Sequence, residues 1–136
     1  MEQEDIKELY IRLSKDFSVL SFDEVLAECL KIAKKFYACY PLLFELGTLL
    51  INHTSQASSP EQVEQIMEKA LEWFHRVRTE ADETNLQKES LLMEAFCLLQ
   101  LQRPSEVIDI LEPVNMQPGS PEPLLASAYR AIGNDQ

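Results

Sequence analysis

Glu72-Trp-Phe-His75 sets a carboxylate and an imidazole three residues apart, the Glu-x-x-His step that di-iron helix bundles use twice beside two further inward glutamates. It occurs once here, and Trp73 and Phe74 claim the inward face between the two donors. Glu72 and His75 are therefore expected in solvent, with no metal between them. His53 falls at a helix end, where an imidazole meets terminal carbonyls. A serine or cysteine nucleophile needs a base held close by a third group, and neither histidine stands in such a motif. The glycines stand alone at 47, 119 and 133, so no glycine-rich loop cradles phosphate. Cys29, Cys39 and Cys97 show no Cys-x-x-Cys spacing and read as core-filling thiols of a reducing, cytoplasmic compartment. The expectation is a binding protein that uses no cofactor, not an enzyme.

Charge narrows the partners. The chain of 136 residues carries a net charge of −11, a field that repels nucleic-acid phosphates and anionic lipid heads. Glu61, Glu64, Glu68 and Glu72 share one helix face, which is either an ordinary solvated surface or a dock for a basic partner. Glu45, Asn52 and Glu94 interrupt the longest apolar stretches before they reach the ~18 residues of a membrane span, and the Met-Glu-Gln-Glu-Asp start is acidic where a signal peptide is basic. A soluble, unprocessed protein is expected.

The elements that must position these side chains are helices throughout. Ile6, Leu9, Tyr10, Leu13 and Phe17 recur at steps of three and four and predict a helix to about Phe17. Ser21 followed by Glu24 is a capping box, and Val25, Leu26, Cys29, Ile32, Ala33 and Phe36 carry the second helix to about Cys39. Pro41 opens a third, because a first-turn residue has no helical partner for its N–H. The small polar stretch from Thr54 to Pro60 is a loop, after which Val63, Ile66, Met67, Ala70, Trp73, Phe74 and Val77 predict a long helix to about Ala81. Further helices follow over about 86–101 and from Pro104 to Leu111. A seventh lies beyond the Pro118–Pro123 cluster and ends at Gly133.

An internal period organises them. Leu9 and Leu43, and likewise Leu13 and Gly47, are about 34 residues apart, the length of one helix-turn-helix repeat. Ala95, Leu98 and Leu101 correspond to Ala126, Tyr129 and Ile132 at a shorter spacing, and the middle unit is lengthened by the Ser-rich loop and the long fourth helix. Leu125-Ala-Ser-Ala-Tyr129-Arg-Ala-Ile132-Gly133 and Leu46-Gly47 resemble the first helix of a tetratricopeptide repeat. In that family a small residue (here Gly47, Ala95 and Ala126) lets paired helices approach, and the second helix supplies apolar positions such as Val25, Cys29, Ile32 and Val107, Leu111, Val114. The usual seam aromatic appears only as Tyr129; positions 50 and 98 are leucine, so the match is to a divergent member. The resemblance implies one all-α domain over 1–136, a right-handed superhelix of antiparallel pairs at about 2–39, 41–81 and 86–112 with a terminal helix at about 122–132.

A narrower similarity is carried by Tyr40-Pro-Leu-Leu-Phe-Glu-Leu-Gly-Thr-Leu-Leu-Ile-Asn-His53, Glu89-Ser-Leu-Leu-Met-Glu-Ala-Phe-Cys-Leu-Leu99 and Leu124-Leu-Ala-Ser-Ala-Tyr-Arg-Ala-Ile-Gly133. These resemble the repeat half of bacterial Cro/repressor-like (XRE) helix-turn-helix regulators. There the repeats follow a DNA-binding domain, and no basic helix-turn-helix precedes them here. The similarity implies the effector half of a transcriptional regulator, with no direct nucleic-acid binding by this segment; a stand-alone tetratricopeptide adaptor or chaperone is the alternative. Projecting the repeat register puts Tyr10, Phe44, Thr48, Asn52, Leu92, Phe96, Gln100, Ser127 and Arg130 along a groove suited to a peptide or protein ligand, although Phe44, Leu92 and Phe96 equally suit a core. The terminal helix offers Leu124, Leu125, Ala128, Tyr129, Ala131 and Ile132. The sixth helix alone cannot cover them, so a homodimer is expected to bury Leu124, Leu125, Ala128, Tyr129 and Ile132.

Overall fold

The structure, a computed structural model, describes residues 2–111. Every regular element among them is helical. Helix α1 (Gln3–Val19) starts where the Glu2 N–H donates to the Asp5 carboxylate at 3.3 Å, and it buries Ile6, Leu13 and Phe17 on one stripe. Helix α2 (Phe22–Lys35) is capped by Ser21, whose hydroxyl oxygen accepts the Glu24 N–H at 3.2 Å. It buries Phe22, Val25, Cys29 and Ala33, and it ends at Lys35, short of Cys39. Pro41 fixes the first turn of the next helix, so the chain must reverse before it. Phe36 leaves helical geometry (φ −113°, ψ 47°), and the Cys39 N–H closes the turn on the Phe36 carbonyl at 2.9 Å.

Helix α3 (Tyr40–Asn52) buries Leu42, Leu43, Leu46, Gly47, Leu49 and Leu50. A single 3-10 turn, Thr54–Gln56, lies within the expected loop. Helix α4 (Pro60–Glu80) has Pro60 in its first turn and Ser59 as its cap, the Ser59 hydroxyl accepting the Gln62 N–H at 3.2 Å. Helix α5 (Thr84–Gln100) ends in a left-handed residue, Gln102 (φ 59°), with Gln102 N–H bonded to the Leu99 carbonyl at 3.0 Å and Arg103 N–H to the Leu98 carbonyl at 2.9 Å. That pair of bonds is a Schellman closure. Helix α6 (Pro104–Leu111) follows at once. The expected terminal helix at 122–132 lies outside the described residues.

Each helix packs against the next in sequence, and α3 also packs on α1 and on α5. One core joins α1, α2 and α3 to Ile66, Trp73 and Val77 of α4. A second gathers Met67, Ala70 and Phe74 of α4 with Cys97 of α5, flanked by Phe44, Ile51, Met93 and Phe96. A third joins Ala95 and Leu98 to Val107 and Leu111. Helix α5 thus carries apolar residues on several sides because it has neighbours on several sides. No described helix is long and apolar enough to cross a membrane.

Candidate functional site

Gly47 of α3 packs directly against Phe74 of α4. A Cβ at that position would stand 2.8 Å from the Phe74 ring tip, and Phe74 is fully buried. Phe44 meets the same ring edge-on, with centroids 5.5 Å apart. The same cluster brings α5 to α3, for Phe44 and Ile51 pack with Met93, Phe96 and Cys97 around Phe74. Glu45 and Thr48 lie half-buried and Asn52 exposed on α3. Steps of four and three put Glu89, Met93, Phe96 and Gln100 on one side of α5, with Leu92 beside them.

The expected groove residues therefore divide. Phe44 and Phe96 are partly buried and belong to the α4–α5 core as much as to a surface. Thr48 spends its hydroxyl proton on the Phe44 carbonyl at 2.9 Å, within its own helix. Tyr10 is half-buried, and its phenol oxygen accepts the Asn52 amide N–H at 3.5 Å, linking α1 to α3. Leu92 is 40% exposed, a large apolar side chain with no cover among the described residues, and Gln100 is exposed. Ser127 and Arg130, and the dimer residues Leu124, Leu125, Ala128, Tyr129 and Ile132, lie outside the described residues.

Two further residues, Glu45 and Glu89, escaped the sequence reading of the site. Glu45 is the only charged residue of α3, and its carboxyl is raised above its ordinary value, first by burial and second by the Glu89 charge. The Glu89 charge on α5 thus acts on Glu45 of α3. Neither takes part in an ion pair among the described residues. The available signal was a lone charge inside an apolar helix, legible only as an interruption until α5 was placed beside it.

The metal-like pattern resolves differently. Glu72 pairs with Lys69 at 3.4 Å, while the His75 Nδ1 lies 3.0 Å from the Glu94 carboxylate. His75 remains 57% exposed, but Glu94 is only 5% exposed and is also gripped by Arg78 through two guanidinium nitrogens. No group of three or more metal-binding side chains occurs among the described residues. This cluster lines a cleft of about 720 Å³ between α4, α5 and α6. Its charges are largely matched already: Arg78 with Glu94, Lys69 with Glu72, and Arg103 with Glu106. It joins helices, and of the carboxylates that line the cleft Glu68 alone has no ion-pair partner among the described residues. His53 meets a terminal carbonyl as expected, its Nδ1 lying 2.8 Å from the Leu49 oxygen, and its ring stacks on Phe17 at 4.1 Å. Burial pushes the Cys29 and Cys97 thiols up to about 12, which leaves them protonated and inert.

Compared with protein-family models, with curated proteins and with solved structures, the chain matches none.

Proposed function

We propose that this chain is a tetratricopeptide-like scaffold that holds a peptide or protein segment in the groove of its first helices, and that it serves as the effector half of a Cro/repressor-like regulator. In this reading α1/α2, α3/α4 and α5/α6 are the stacked antiparallel pairs of a right-handed superhelix. The observation that carries it is the packing of α3 on both α1 and α5, alternate helices in contact as a groove of first helices requires. Along that row stand the exposed Leu92, Asn52 and Gln100, an apolar anchor point beside amides that offer both a donor and an acceptor to an extended backbone. The regulator role rests on the resemblance of the three repeat stretches; an adaptor without a DNA-binding partner domain is the second reading, and a helix-turn-helix encoded upstream in the same reading frame separates the two.

Binding of immobilised peptides by the chain and by two variants tests the groove. Asn52→Ala is expected to weaken binding with the fold intact, and Phe96→Ala to weaken it while also costing about 3 kcal/mol of stability. If Asn52→Ala leaves every bound peptide unaffected and Phe96→Ala merely unfolds the chain, these residues are core and the groove is not the binding surface.

A further inference from the structure

A second cleft, of about 560 Å³, lies between α1 and α2, within the ~300–1,000 Å³ range of small-molecule sites. Leu9, Ile32 and Phe36, half-buried against the core, form its floor, and Arg12, Lys31 and Lys35 line it as exposed cations. Glu28 is its single carboxylate, and Arg12 holds it at 2.7 Å. Lys31 and Lys35 stand one turn apart on the same side of α2, and neither has an ion-pair partner among the described residues. The Lys35 ammonium instead rests 5.4 Å from the centroid of the Phe36 ring, so an unpaired cation stands beside the apolar floor. The cleft between α4, α5 and α6 is unlike it, for that one sets four carboxylates against three lysine and arginine side chains.

We infer that the α1–α2 cleft binds a small amphiphilic anion, a free carboxylate on a short acyl chain, with the chain on Leu9, Ile32 and Phe36 and the carboxylate at Lys31 and Lys35. Both halves of the ligand are needed. A bare anion would meet only flexible, strongly hydrated ammonium groups, and a neutral chain would leave those cations unused. An acidic polypeptide fits less well, because its repulsion from a molecule of net charge −11 grows with its own charge. A single carboxylate pays little of that repulsion and sits well within a Debye length of both lysines. The cleft shares no residue with the groove proposed above, so the inference stands whether or not that groove holds a peptide.

Titration of isotope-labelled protein with octanoate, octanol, octylammonium and acetate, followed through amide chemical shifts, provides the test. Octanoate is expected to saturate, with shifts centred on α1 and α2, and to bind about fivefold tighter than octanol, which has the same chain length and no charge. Octylammonium should bind more weakly than either, acetate should not saturate, and added salt should narrow the octanoate preference. In Lys31→Gln/Lys35→Gln that preference should fall below about twofold, whereas it should persist in Lys15→Gln/Lys34→Gln, which removes the same charge from exposed positions of α1 and α2 outside the cleft. Ala27→Glu, at an exposed position on the cleft wall, should abolish octanoate binding and leave α2 folded, since glutamate is a good helix former. Equal binding of octanoate and octanol, or a preference lost alike in both lysine variants, would overturn the inference. So would shifts centred outside α1 and α2. Absence of saturable octanoate binding would overturn it too, even if phosphatidylglycerol vesicles or an acidic helical peptide bound in its place.

Discussion

At Gly47 two effects oppose each other. Glycine inside a helix costs about 1 kcal/mol relative to alanine, so Gly47→Ala should stabilise α3 on propensity alone. The new Cβ, however, would lie 2.8 Å from the Phe74 ring, which is fully buried and cannot swing into water. Overpacking of this kind costs about 1–3 kcal/mol, so Gly47→Ala is expected to lower stability in urea unfolding, and Phe74→Leu in that background to recover part of the loss. A more stable Gly47→Ala protein would show the contact to be soft. Glu45 supplies a pH signature. Its folded carboxyl is raised by burial and by Glu89, so the folded chain holds that proton more tightly than the unfolded chain does. Ionised Glu45 therefore opposes folding above its folded pKa, and the cost fades as pH falls through that value and below the unfolded one. Glu45→Gln is expected to raise Tm at neutral pH, with the gain vanishing near about pH 3.5; a gain independent of pH would trace it to packing instead.

Between elements, the Arg78–Glu94 pair does for α4 and α5 what Gly47 and Phe74 do for α3 and α4. Glu94 is 5% exposed, and Arg78 and His75 supply its hydrogen bonds. Removing one partner of a buried pair leaves the other desolvated without compensation, whereas replacing both with apolar groups is often close to neutral. Arg78→Met is accordingly expected to cost about 3 kcal/mol, and Arg78→Met/Glu94→Met to recover most of it. Equal losses in the single and double variants, followed by Trp73 fluorescence during unfolding, would mean that the pair contributes no coupling. The closure after α5 is also built from the backbone. Gln102 adopts φ 59° without being glycine, and it brings α6 back against Ala95 and Leu98 within a few residues.

For the whole molecule, the proposal that the chain pairs with itself through residues 122–132 predicts dimers in sedimentation equilibrium at micromolar concentration, with Tyr129→Glu shifting them to monomers. A wild-type monomer, or a dimer indifferent to Tyr129→Glu, would place any pairing elsewhere. A dimer of that kind would also hold two DNA-binding domains at a fixed separation, as palindromic half-sites require, if the regulator reading is right.

Helix content was legible from the sequence because the steps of three and four in residues such as Ile6, Leu13 and Phe17, or Ile66, Ala70, Trp73 and Val77, depend only on local geometry and on which face must be dry. The Ser21 cap followed from the same local chemistry, whereas Ser59 read only as part of a loop until the structure showed it capping α4, and Gly47 stood out as the small residue of a close helix contact. What local pattern could not encode was pairing between distant segments. Glu94 reads as a surface charge until α4 brings Arg78 and His75 against it, and Glu45 reads as an interruption until α5 brings Glu89. A charge is repelled, neutralised or left for a ligand according to what stands opposite it, and only the packing of one helix on another decides that.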